Sequence, residues 1–173
     1  MYGGLYSMNY LEIEDTRLMN EIRKLAIVFR QAIMDAKNDG ALAYYSPMKY
    51  FPRGCCEVAS DMLAEYLRSK GIETHGVFGV FYYNNGADYY PHEWLALQNY
   101  EEIIIDITGD QFYQEQLLNY YDIPVYMGTV DDMHSKFKIT EPFRMAGKQF
   151  GKDHSNELLE RQLSIVLSYL EMK

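Results

Sequence analysis

The stretch HGVFGVFYYNNGADYYPHEWLALQNYEEIIIDI, residues 75–107, decides the fold. It holds three short runs, His75–Tyr83, Glu93–Gln98 and Glu102–Ile107, each rich in β-branched and aromatic residues. Turn chemistry separates them: Asn84-Asn85-Gly86 opens the first connection and Asn99-Tyr100 sits in the second. Short apolar runs punctuated in this way predict strands, and three in succession predict an antiparallel meander. A fourth strand is expected near Pro124–Met127.

Outward from the strands the period changes. Upstream, Leu18, Ile22, Leu25, Ala26, Phe29, Ile33 and Ala36 recur at spacings of three and four, the signature of one helix face. Arg23, Lys24, Arg30 and Asp35 fall largely off that stripe, and Asp39-Gly40 supplies the stop signal. After a loop containing Pro47, Pro52 and Gly54, a second helix is expected to begin at or just after Cys55-Cys56. It carries Val58, Ala59, Met62, Leu63, Tyr66 and Leu67 and ends at Lys70-Gly71. A third helix is expected from about Asp153 or Ser155, with Leu159, Leu163, Val166, Leu167 and Leu170 on one face. Met133 to Lys152, which collects Lys136, Lys138, Arg144, Lys148 and Lys152, reads as a solvated basic loop. The fold class is therefore α+β: a Cys-bearing helix packed on an antiparallel sheet, with additional N- and C-terminal helices. The 173 residues suit one domain over 1–173.

Composition narrows the function. Asp and Glu outnumber Lys and Arg by 25 to 16, for a net charge of −9. A general nucleic-acid binder needs clustered basic side chains, so nucleic acid is not expected as a partner. No apolar run approaches the roughly 20 residues of a membrane helix, and Met1 to Asp15 lacks the pattern of a signal peptide. The two cysteines are adjacent, which rarely suits a disulfide. A reducing, cytoplasmic setting follows as the expectation. The 17 tyrosines read mainly as filling for a half-buried sheet and its loops.

Three places carry chemistry. In Gly54-Cys55-Cys56-Glu57 a loop enters a helix, where unpaired N–H groups and the helix dipole favour a thiolate, the nucleophilic form of cysteine. Two small buried hydrophobes would fit the same pair. In Pro91-His92-Glu93-Trp94 a Tyr-rich loop runs into a strand, so His92 is expected beside a cleft, able to take a thiol's proton near neutral pH. Third, Asp106 sits inside Ile103-Ile104-Ile105-Asp106-Ile107, where an unpaired charge would cost several kcal/mol. It needs a partner.

Hairpin geometry suggests His92. With an odd number of residues in the connection between the second and third strands, His92 and Asp106 point to the same face of the sheet. Residues 99–101 as the loop place Asp106 opposite Trp94 and diagonal to His92; residues 97–101 set the pair directly opposite. A two-residue loop would put them on opposite faces. A cysteine at a helix start, a histidine on a strand and an aspartate to hold that histidine follow the logic of a catalytic triad. Cys56 shares a helix face with Ala59, Ser60, Leu63 and Leu67, and Cys55 with Val58, Met62 and Tyr66. Helix ends shift by a residue or two, so both cysteines stay open as the nucleophile on this ground.

The order helix-Cys, strand-His, strand-Asp resembles the papain-like and transglutaminase-like thiol superfamily. The stretches that carry the resemblance are Phe51-Pro-Arg-Gly-Cys-Cys-Glu-Val-Ala-Ser60, His92-Glu-Trp-Leu95 and Asp106-Ile-Thr-Gly-Asp-Gln-Phe112. They look like a bacterial branch with Gly-x-Cys, His-x-Trp and Asp-x-Thr-x-x-Gln-Phe motifs, and span about a third of the chain. The resemblance implies a papain-like core with Cys56 as nucleophile, His92 as general base and Asp106 as the orienting acid. Papain-type members place an oxyanion-hole Gln six residues before the cysteine. Tyr50 stands there in this sequence, so Tyr50, Trp94 and Gln111 are the candidates for oxyanion or substrate contacts.

The expected function is cysteine-dependent acyl transfer: hydrolysis of a peptide or glutamine side-chain amide, or transfer of the acyl group to an amine. The substrate would be a peptide, a protein or a small amide, with no metal or organic cofactor. A catalytically silent module of the same fold, binding through the Tyr-rich segment Tyr82–Tyr90, is the alternative. A metal site from Cys55, Cys56, His75 and His92 is a weaker reading, since adjacent cysteines lack the spacer of ordinary zinc sites.

Overall fold

The computed structural model describes residues 10–147 and 154–171. Within them the chain is mixed α+β, with three α-helices and a five-stranded antiparallel sheet. The helices are α1 (Tyr10–Asn38), α2 (Cys56–Arg68) and α3 (His154–Glu171); the strands are β1 (Thr74–Tyr83), β2 (Asp88–Leu97), β3 (Tyr100–Asp106), β4 (Tyr126–Gly128) and β5 (Lys138–Arg144). The sheet order is β4-β3-β2-β1-β5, with the expected meander at its centre. Among the described residues no helix is long and apolar enough to cross a membrane.

Apolar side chains divide between the two faces of the sheet. On one face Leu95, Leu97, Ile105, Ile107 and Met127 pack with the helical stripes, including Ile22, Ala26, Phe29 and Ile33 of α1, Ala59 and Leu63 of α2, and Leu159 and Val166 of α3. On the other, Trp94, Ala96 and Ile104 are covered by Phe112, Leu118, Met133 and Phe137 from the turns and loops after β3. Removing this area from water at about 25 cal/mol per Å² is what drives the layers together.

Two expectations need correction. The Tyr-rich loop is mostly strand: β1 and β2 pair Phe81 with Tyr90 and Tyr82 with Tyr89, and the rings of Tyr83 and Tyr90 stack at 4.8 Å. The basic loop after Met133 contains edge strand β5, antiparallel to β1. Its side chains are largely exposed, so it lacks the apolar alternation that marks a strand in sequence. Lys148, Lys152 and Asp153 lie outside the described residues, as do residues 1–9 of the segment scanned for a leader. Arg30, off the apolar stripe, is itself buried: it donates to Ile107 O and Asp110 Oδ2 and stacks 4.9 Å from the Phe51 ring centre. It thereby ties α1 to both the end of β3 and the loop before α2.

Candidate functional site

The site forms where β3 ends and β2 runs on. Strand β3 stops at Asp106, while β2 extends back to Asp88, so His92 lies beyond the end of its neighbour. The register Leu95↔Ile105 and Ala96↔Ile104 puts Asp106 across from Trp94 and diagonal to His92, on one face. His92 Nε2 stands 2.7 Å from Asp106 Oδ2. His92 is fully enclosed within a strand and is not at a strand edge beside a cleft, as the sequence suggested.

Asp106 is anchored from several sides. Its Oδ1 accepts the Thr108 backbone N–H at 2.8 Å and the Thr108 hydroxyl at 3.1 Å. Its Oδ2 also faces His134 Nε2 at 3.1 Å. Burial works against its charge, but the charges and hydrogen bonds of His92 and His134 outweigh that and hold the carboxyl well below the usual range. For His92 the same contest runs the other way. Burial opposes a charged ring, yet Asp106, and after it Cys56, raise its proton affinity to about 10.

Cysteine placement follows from the turn before α2. Gly54 adopts φ +65°, a left-handed conformation that suits glycine, and its N–H donates to Gln111 Oε1 at 3.3 Å. Cys55 is the N-cap and Cys56 the first helical residue. Cys55 is buried in the helical core, where burial first and Cys56 second push its thiol up to about 12. Cys56 is half-buried, at the start of α2.

Gln111 reaches the same place from the turn after β3. With Oε1 held by Gly54, its Nε2 points at His92 Nδ1, 3.1 Å away. An amide N–H facing Nδ1 requires a lone pair there, leaving the ring's hydrogen on Nε2 toward Asp106. That tautomer describes the neutral ring; the raised affinity describes how readily the ring takes a second proton.

The other sequence candidates separate. Trp94 is buried, its ring centre 5.5 Å from that of His92 and 4.9 Å from that of His134. Tyr50 is 59% exposed, with Lys49 Nζ 4.8 Å above its ring. His75 packs against Phe143, so it is not gathered with Cys55, Cys56 and His92 into a metal site.

Sequence reasoning missed His134. Its Nδ1 lies 2.7 Å from Asp131 Oδ1, and its backbone N–H donates to the same oxygen at 2.9 Å. The signal was the spacing Asp131-x-x-His134, an Asp able to cap a short turn. Among the described residues, His92, Asp106 and His134 are the set whose donor atoms, all within 4.8 Å, are close enough to share a metal ion. Hydrogen-bond direction argues against that use. A metal on His92 Nε2 would need a hydrogen on Nδ1, which would then face the N–H of Gln111.

No family model matches the chain, and no solved structure matches it. It is similar to two Escherichia coli proteins, each described as uncharacterized protein YuaU. It is 33% identical over 85 residues to that of strain UTI89 and 35% identical over 86 residues to that of strain K12. Each match covers 49% of this chain and 38% of the relative, so the match spans well under half the length of those curated relatives.

Proposed function

We propose that the protein is a cysteine-dependent acyl-transfer enzyme of papain-like or transglutaminase-like type, with Cys56, His92 and Asp106 as its reactive set. The observation that carries this reading is the buried His92–Asp106 pair at 2.7 Å, with Nδ1 of the same ring facing Gln111, whose Oε1 accepts from Gly54 just before α2. A carboxylate that fixes a histidine while the other ring nitrogen faces a thiol is the arrangement that activates sulfur.

The chemistry follows from those groups. Cys56 passes its proton to His92 Nδ1, and the thiolate attacks an amide carbonyl carbon. Once Nδ1 is protonated, Gln111 Nε2–H loses its acceptor and can turn to the developing oxyanion, beside the N–H groups at the helix start. The C–N bond breaks as Nδ1 returns the proton to the leaving amine. Water or a second amine then displaces sulfur from the thioester. The substrate class is a peptide, protein or small amide, met in the cytoplasm.

Alkylation at each cysteine across pH, read by mass spectrometry in wild type and His92→Ala, tests this. Enhanced reaction of Cys56 at about pH 6–7, lost by about tenfold without His92, is expected. Equal rates in the two proteins would overturn it. The second reading, a silent binding module, draws on the exposure of Tyr82 and Tyr89 on the β1–β2 hairpin, 48% and 60%. That module would leave Cys56→Ala with full ligand binding and no lost turnover.

A further inference from the structure

Two exposed cations, Lys49 and Arg53, lie on the loop that leads into α2, and the acyl-transfer chemistry does not use them. The loop is held firmly. Phe51 is fully buried between them, Lys37 Nζ donates to Phe51 O at 2.7 Å, and the Arg53 backbone N–H donates to Tyr50 O at 3.0 Å. Arg53 then reaches across to the turn after β3. Its Nη2 donates to Gln114 Oε1 at 2.8 Å, and its guanidinium carbon stands 5.2 Å from the Tyr113 ring centre. Gln111, just before them, accepts from Gly54. The two segments that build the site are thus joined a second time, at its exposed rim.

Charge sets this rim apart from the rest of the molecule. Acidic residues outnumber basic ones by 25 to 16, and Arg17, Arg30, Arg68 and Arg144 each hold a carboxylate. Among the described residues, the partners of the Arg53 and Lys49 side chains are an amide and two phenol rings, with no carboxylate. Glu57, the nearest acid along the chain, lines a cavity of about 330 Å³ with Asp61 and Leu159, against α3. A guanidinium carries five N–H donors in a fixed fork, suited to two parallel bonds with a carboxylate. Gln114 accepts from one nitrogen of that fork. The Tyr113 ring favours the cation and limits its freedom, so less order has to be gained when an anion docks.

We infer that Arg53 is a specificity-determining residue, selecting amide substrates that carry an aspartate or glutamate side chain near the bond attacked by Cys56. Lys49 and the exposed Tyr50 extend the same rim. This rests on the reading of Cys56 as the nucleophile. Chain geometry sets the reach. Three peptide units separate Arg53 from Cys56, so their Cα atoms are at most about 11 Å apart. An extended peptide rises about 3.3 Å per residue, which brings the acidic side chain within about three residues of the scissile bond. The substrate class narrows from any peptide or amide to an acidic peptide.

Charged alkylating peptides test this without a known substrate. Iodoacetyl-Ala-Glu amide and iodoacetyl-Ala-Gln amide differ by one charge, and mass spectrometry reads the rate of each at Cys56. In the full chain the Glu reagent is expected to react about fivefold faster at low salt, a gain that added salt shrinks. Arg53→Gln should bring the ratio to about one, and Arg53→Lys, which keeps a charge without the fork, should restore part of it. Equal rates in wild type, or a ratio unmoved by Arg53→Gln, would overturn the inference. An Arg53 that merely joins the two segments would slow both reagents together and leave their ratio intact. Iodoacetyl-Ala-Gln with a free terminal carboxylate separates a side chain from a chain end: a gain above that of the Glu reagent would overturn the choice of side chain. Should Arg53→Gln fail to fold, the wild-type ratio and its salt dependence decide. A Cys56 inert to iodoacetamide removes the acyl-transfer reading itself; a reactive Cys56 with no preference for Glu removes this inference alone.

Discussion

Gln111 stands between Gly54 and His92, accepting from the backbone N–H of one at 3.3 Å and presenting its amide nitrogen to Nδ1 of the other at 3.1 Å. The atom proposed to take the thiol's proton is therefore already occupied as an acceptor. Gln111→Ala should act in opposite directions on two measurements. Alkylation of Cys56 at low pH should rise, since Nδ1 is freed, while turnover on an amide should fall about 10²-fold if the amide also serves the oxyanion. A parallel change in both would remove Gln111 from the second role.

The adjacent cysteines should behave as different chemical species. Cys55 is buried and its thiol is pushed up to about 12, whereas Cys56 is half-buried at a helix start. Brief iodoacetamide treatment at neutral pH should label Cys56 alone. Cys55→Ala should keep that labelling rate within about twofold, since only desolvated sulfur is lost. Label on Cys55 in the folded protein would contradict the placement.

A methyl group at Gly109 would lie 2.7 Å from Asp106 Oδ2 and 2.8 Å from Tyr121 Cε1, closer than real contacts allow. Gly109→Ala should force the carboxylate or the ring aside. A loss of about 1–3 kcal/mol is expected in denaturant unfolding, together with slower Cys56 alkylation. Unchanged stability and reactivity would mean that the Asp106 shelf yields freely.

A second charged cluster governs stability against pH. Arg144 Nη2 pairs with Asp61 Oδ1 at 2.5 Å and with Glu93 Oε1, and Glu93 is buried on the helical side of β2. Burial first, opposed by Arg144, raises Glu93 from its ordinary 4.5 to about 7. The folded chain then binds this proton more tightly than the unfolded one. Its contribution to stability is full below about pH 4.5 and falls as pH rises toward about 7. Glu93→Gln should flatten the unfolding free energy across that window. Arg144→Met, which strands two carboxylates, should cost about 3–5 kcal/mol at neutral pH.

The three-strand meander and the helical stripes could be read from periodicity because each buries one apolar face. The alignment of His92 with Asp106 could not be read so simply. The connection after β2 is two residues, Gln98 and Asn99, which by itself would set the pair on opposite faces. The register slips between Ala96 and Leu97, where four residues of β3 pass for one of β2, and the even alignment returns. An irregularity of that kind leaves no periodic trace. His134 escaped for a related reason: its partners Asp106 and Asp131 meet only when the turns after β3 fold over the sheet. Strand β5 misled because charge was taken for an unstructured loop, although an edge strand facing water also carries charge.

The two borders of the sheet bear on how copies of the chain meet one another. On one side β4 has three residues, and Arg23 of α1 places Nη2 2.9 Å from Met127 O. On the other, β5 includes Pro142, which has no N–H to offer, and its pairing with β1 is broken by register shifts. Among the described residues, a three-residue border and one interrupted by a proline and register shifts are poorer templates for a foreign strand than a long, flat edge. In a protein with 17 tyrosines and a central hairpin of stacked rings, the two strands that carry least of the core thus form the borders where a foreign strand would have to pair.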